Sequence, residues 1–341
     1  MCRYVEKLAW LFCLLITCNL NPTYPNGKSS FAAAYFLRFT PQSSVITDLK
    51  SHALYLTIHL NSNASTLECL RSIGRIGKYV DQICPPYICG EHNEILYGVG
   101  FGIDFYRKVN PSYRYMGIKN YEYHERNGKF GKLPKTGGDI FVHAKCNNHG
   151  MLFDLAKYII YNMPIGSVAK FEDDYSWMFR NRRDLSEFED GTMNPKDMHE
   201  RAKVAINKRT GGSYAVVLKW VHDMELLRRT KDYIRSSTST RLIVSVNILI
   251  NMLLKPKFKI VRQAQPYGTL SGECGLQFIA YAADIINFNF MLNRMTGDDN
   301  DDYKNDDLMR FSRCITGNYW YFPSLFELKL LLRDQSIRFC L

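Results

Sequence analysis

Residues 182–195 read RRDLSEFEDGTMNP, with Glu187, Glu189 and Asp190 inside four positions, then Gly191-Thr192 and Asn194-Pro195. Asp-Gly and Asn-Pro are turn formers in their own right, so one reading is a solvated acidic turn. The other is a bend that aims one carboxylate at a reacting group, where it can take up a proton and return it. A second candidate is Arg262 in FKIVRQAQPYG (258–268), set between Ile260-Val261 and a Pro-Tyr-Gly turn. Those apolar neighbours favour an inward guanidinium over a surface ion pair. A fixed guanidinium in a dry site stabilises negative charge that develops during a reaction.

The elements that must carry these groups are legible from periodicity. Alternation predicts strands over 51–60, 138–146, 211–224 and 274–283, and a short strand into a turn over 258–268. An apolar, glycine-punctuated run predicts a further strand over 94–106. Apolar residues at helical spacing predict helices over 65–83, 148–163 and 288–295. Strands and helices come in two similar sets without a βαβ rhythm, which implies an α+β fold with antiparallel sheets and duplicated halves. Gly98-x-Gly100-x-Gly102 lacks the GxGxxG spacing and the capped helix of a dinucleotide site.

At 341 residues and 46% hydrophobic, the chain can bury one large core or two medium ones. Its net charge is +11, and residues 201–262 hold fourteen basic side chains against three acidic ones. That surplus suits an anionic partner or a solvated basic face; nucleic acid rests on charge alone and is disfavoured. The ten cysteines form no paired metal motif. Cys84 and Cys89 are the best candidates for a disulfide, while Cys69, Cys146, Cys274 and Cys314 read as small buried hydrophobes. His199 and His222 lack the HExxH partner of a zinc protease, and His143, in an apolar strand, reads as a core residue or a pocket residue. DDNDDYKNDD (298–307) has Tyr303 and Met309 where a calcium loop needs Gly and Glu, so it reads as a solvated loop.

At the N-terminus, Arg3 and Lys7 precede an apolar run from Leu8 to Cys18 and then a Pro/Asn/Gly break. This matches the charged and apolar regions of a secretory signal, and the Asn63-Ala64-Ser65 sequon has meaning only after export. The alternative is an ordinary first helix in a cytoplasmic or organellar protein.

Taken in order, PQSSVITDLKSHALYLTIHL, GGDIFVHAKCNNHGMLFDLAKYI, RDLSEFEDGTMNP, GGSYAVVLKWVHD, RRTK, FKIVRQAQPYGTLSGECGLQFIAYAA and DDLMRFSRCITGNYWYFPSL resemble the dye-decolourising haem peroxidases, over about residues 41 to 330. The resemblance implies a pair of ferredoxin-like α+β halves of the dimeric α+β barrel superfamily. The first half covers 41–165 and the second, haem-binding half 211–335; a linker, 166–210, carries the distal motif, and a signal-like or variable segment, 1–40, precedes them. It also implies haem b as cofactor, hydrogen peroxide and small aromatic reductants as partners, and the option of a homo-oligomer. Asp190 would then be the proton-shuttling carboxylate and Arg262 the charge-stabilising arginine. Gly191 and Thr192 would let the chain bend close to the haem, and Arg229 would pair a propionate.

Two departures stand out. Glu187 occupies the family's first motif glycine. The axial histidine position falls at Ser245, and no histidine occurs anywhere in 223–261. A serine hydroxyl is a poor iron ligand. Either the site has decayed into a non-catalytic haem- or anion-binding relative, or the reading frame is shifted over 232–255.

Overall fold

In a computed structural model of the chain, the described residues are 40–180, 182–186, 194–229, 258–297 and 307–333. Eleven strands and eight helices are named here: α1 (Ser43–Ile46), β1 (His52–Leu60), α2 (Thr66–Ile73), α3 (Ile76–Ile83), β2 (Leu96–Phe101), α4 (Ile103–Val109), β3 (Arg126–Gly128), β4 (Gly131–Leu133), β5 (Ile140–Cys146), α5 (His149–Tyr161), β6 (Val168–Trp177), α6 (Met198–Ala205), β7 (Ser213–His222), β8 (Val261–Arg262), β9 (Gln265–Gly268), β10 (Cys274–Ala282), α7 (Ile286–Thr296), β11 (Ser312–Phe322) and α8 (Leu325–Arg333). Most of the acidic loop at 298–307 lies outside the described residues.

The topology carries the duplication. In the first half β2-β5-β1-β6 are neighbours, and in the second β9-β10-β7-β11, so both sheets run second, third, first, fourth. All pairings are antiparallel. The halves meet at two narrow seams, Tyr321 opposite Phe101 and Ser176 opposite Tyr267, which close eight strands into a barrel. The segment 166–210 contains β6, which pairs along β1, and α6.

Strand alternation divides the core into two regions. Ala53, Tyr55, Phe141, Ala215, Val217, Val261, Ile279, Tyr281, Trp320 and Phe322 face the barrel interior and pack together. Their sequence neighbours Leu54, Leu56, Ile140, Val142, Val216, Leu218, Phe278 and Ala280 face outward, against the helix layer. Because both faces are covered, all seven residues of β5 are buried.

Two sequence expectations change. The apolar run 94–106 is a strand only to Phe101, and α4 starts at Ile103. The glycines of this run make room: a Cβ at Gly100 would stand 2.6 Å from the Phe322 ring, and one at Gly98 3.1 Å from it. The helix expected over 65–83 breaks at Gly74, where a Cβ would crowd the Leu332 side chain at 2.7 Å. Cys84 and Cys89 are joined in a disulfide, and Cys69, Cys146, Cys274 and Cys314 are free and buried.

Candidate active site

Arg262 lies on β8, paired with Ala280 of β10. It shares the outward parity of Ile260 and Ala264, whereas Val261 and Gln263 face the barrel interior. The residue is 9% exposed, so it is buried on the strand face turned away from the barrel interior.

Its main chain is held from both sides. On the outer side the Asn194 side chain accepts from the Arg262 N–H at 2.9 Å and donates to the Arg262 carbonyl at 2.7 Å. On the inner side Tyr55 Oη donates to the Gln263 carbonyl at 3.1 Å, and the Gln263 side-chain amide (Nε2) donates to the Val45 carbonyl at 2.8 Å. Lys145 Nζ donates to Gln263 Oε1 at 2.6 Å and also to Ser44 O, Thr47 O and Thr47 Oγ1. Burial pushes the Lys145 ammonium well below the usual lysine range, against the pull of Asp48. Four acceptors within reach satisfy a group that would otherwise be costly to bury.

The acidic motif is anchored at its flanks. Asp190, Gly191 and Thr192 lie outside the described residues, as does Ser245. Upstream, Ser186 donates a short hydrogen bond to the buried Asp184, and Arg182 donates to Asp48 at 3.2 Å. Downstream, Arg201 of α6 donates to the carbonyls of Pro195, Lys196 and Ile46 and pairs with Asp48 at 2.9 Å. Asp48 thus receives one arginine from each flank. Desolvation raises its pKa, but Arg201 and Arg182 together outweigh that and hold the carboxyl below its ordinary value.

Arg229 is exposed, at the end of a helical segment over 224–229, where Nε donates to Glu225 Oε1 at 2.8 Å. His143 is buried inside the barrel, its Nδ1 2.7 Å from Tyr281 Oη and its ring stacked on Tyr55. It faces away from the Arg262 side chain and takes the core role. His222 is buried at the end of β7, with Nδ1 2.5 Å from Ser312 Oγ and Nε2 without a hydrogen-bond partner among the described residues. Burial lowers its pKa to about 4, so the ring is neutral. The strand position facing Arg262 across β10 is Val216, six places before His222, which puts the two about 20 Å apart along the sheet. No group of three or more His, Cys, Asp or Glu among the described residues could hold a metal ion.

Asn194 and Lys145 were the residues hardest to foresee. Asn194 is visible in sequence only as half of an Asn-Pro turn. Lys145 has a weak signal, a lysine at the interior parity of an otherwise apolar strand.

The profile of the Dyp-type peroxidase C-terminal family matches residues 181–233 and 251–327, interrupted across the stretch that contains Ser245. A dye-decolorizing peroxidase of Brevibacterium linens is 24% identical over 328 residues, spanning 89% of this chain and 83% of the relative. A dye-decolorizing protein from V. cholerae superposes with a TM-score of 0.69 at 25% identity, covering 84% of this chain and 98% of that one. A DypB variant from Rhodococcus jostii, solved in complex with heme, gives a TM-score of 0.70 at 24% identity, covering 86% of this chain and 98% of its own.

Proposed function

The chain belongs to the DyP-type peroxidase family, and on that premise we propose that it binds haem b and reduces hydrogen peroxide while oxidising small aromatic, dye-like donors. The observation that carries this reading is the two-way hydrogen bond between Asn194 and the Arg262 main chain. It ties the end of the acidic motif to the arginine strand, 68 positions away in sequence.

On the Arg262 side the residues fit a haem. A buried guanidinium stands on an outward strand face shared with Ile260, Ala264, Phe278 and Ala280. Arg229, exposed and near the start of the second half, is the residue for a propionate, with Glu225 as its partner until then. By the resemblance Ser245, outside the described residues, would stand where a histidine is expected to hold the iron, and His222 lies about 20 Å along the sheet from Arg262. When bound, the haem supplies the redox chemistry between peroxide and donor. Asp190, four positions before Asn194, takes a proton from one peroxide oxygen and returns it to the other. Arg262 stabilises the negative charge on the departing oxygen from a fixed position, so little reorganisation is needed.

The repeated strand order supports two halves, with the second in 211–335, but it assigns β6 (Val168–Trp177), at the start of the 166–210 segment, to the first half, which therefore runs past 165. We also propose export, supported by the Cys84–Cys89 disulfide, since such bonds persist in oxidising compartments. Non-reducing peptide mapping of protein from its native source checks this; free thiols at both positions would reject it.

Reconstitution with haem tests the main reading. The expected result is a Soret band and peroxide-dependent dye oxidation that is lost in Asp190→Ala. A cooperatively folded chain with no Soret band would instead leave an anion-binding relative. Resequencing the transcript across 220–262 then separates a decayed site from a shifted frame.

A further inference from the structure

β6 closes the barrel at one end only. It pairs along its length with β1, from His52 opposite Trp177 to Leu60 opposite Val168. On its other edge it meets β9 at Ser176 alone, and no other described strand pairs with 168–175. Ala169, Lys170, Phe171 and Asp173 are exposed, with Phe171 46% accessible. A strand edge with unpaired N–H and C=O groups is a template for another strand. Beside it lies an apolar groove formed by Ile160, Met163, Pro164, Ile165 and Phe171, with the Ile165 side chain in solvent.

The sequence of this edge, VAKFEDD, is complementary to itself. In an antiparallel pair of identical strands about a two-fold axis, opposed residues have a constant index sum. Centring the axis on Phe171 puts Lys170 opposite the other copy's Glu172, twice, and Ala169 opposite Asp173. Moving the axis one residue either way opposes Lys170 to itself or Glu172 to itself, and like charges directly opposite are destabilising. Lys170 and Glu172 already point the same way, 2.9 Å apart within one chain. In the favoured register four charges alternate around the axis, and the two Phe171 rings, on the helix-layer face opposite Ile58, meet beside the grooves.

We propose that a second copy of this chain docks on β6, edge to edge and antiparallel about Phe171, so that the two first-half sheets become continuous. The contact is isologous, which closes it at two copies. It does not depend on haem or on the peroxidase reading.

Analytical ultracentrifugation of the full chain tests it with charge-swapped variants, each checked by circular dichroism for parental folding. The parent is expected to be a dimer. Lys170→Glu and Glu172→Lys should each weaken that dimer at least tenfold, because each opposes like charges twice. Mixing the two single variants should restore association, since every opposed pair is then attractive, and the double variant K170E/E172K should dimerise like the parent. A parent that stays monomeric overturns the proposal. So does a dimer whose affinity is unchanged in either single variant, or a mixture that fails to associate.

Discussion

Arg262 and Arg229 carry the same guanidinium into opposite surroundings. Arg262 is buried on β8, and its backbone is gripped by Asn194 on one side and, through Gln263, by Tyr55 and Lys145 on the other. Arg229 is exposed at the end of a helical segment and paired with Glu225 four residues earlier. A charge held in a dry, rigid place can stabilise a fleeting negative charge without waiting for solvent to rearrange. A charge on a solvated side chain is free to exchange one anionic partner for another, at the cost of screening by salt. The first arrangement suits chemistry and the second suits recruitment of an anionic group.

The hardest test of this contrast is Arg262→Leu. Removing a preorganised charge-stabilising donor costs on the order of 100- to 1,000-fold in kcat. The haem-loaded variant should lose that much in stopped-flow peroxide consumption while its Soret band remains. Activity within a few-fold of the parent would erase the distinction between the two arginines.

Burial has a second signature, in pH. The folded His222 titrates at about 4 because it is desolvated, and the unfolded chain at the ordinary histidine value near 6.5. Between those limits the unfolded state binds the extra proton, so stability falls as pH drops from about 6.5 to about 4. The total is about 3 kcal/mol. Urea denaturation of His222→Gln should lack that part of the acid sensitivity, and the difference from the parent should vanish near pH 7.5 apart from a constant offset. An identical pH slope in both proteins would mean that the imidazole is hydrated.

Asn194→Ala probes the grip itself. It leaves the Arg262 N–H and carbonyl without their side-chain partner, which costs about 1–3 kcal/mol of stability. Turnover should fall while the enzyme still takes up haem. Asn194→Asp keeps the acceptor for the N–H but loses the donor, and should sit between alanine and the parent. If both variants match the parent in chemical denaturation, the arginine strand is fixed by β10 and by the contacts of Gln263, without Asn194.

The duplicated antiparallel fold was readable because strand alternation survives even where both faces are buried. In β5, the run IFVHAKC looks uniformly apolar apart from His143 and Lys145, and these two share the interior parity. What alternation cannot supply is the partner: Gln263 lies 118 positions from Lys145, and Asn194 lies 68 from Arg262. Boundaries failed where tertiary packing set them. Gly74 meets Leu332, and the strand after Gly100 gives way to α4, because those glycines answer to distant side chains and not to local propensity. Asp190 and Arg262 were legible as candidates from residue type and resemblance. The framework at the flanks of the acidic motif, with Asp48 joining Arg182 to Arg201, emerges only from the fold.

The smallest effect belongs to Arg229→Ala. Exposed ion pairs contribute little to stability, because both charges remain solvated and screened. Glu225 also pairs with Arg228, so it keeps a partner in the variant. Thermal unfolding of the apo chain should therefore barely move. If Arg229 recruits a propionate, the cost appears only when haem is titrated: a weaker affinity that converges on the parent as salt is raised, because screening removes what the guanidinium added. Equal affinity at low salt would withdraw Arg229 from the site and leave it a surface residue. A variant that loses apo stability instead would show that the exposed pair is structural, and the contrast with Arg262 would then lie only in burial.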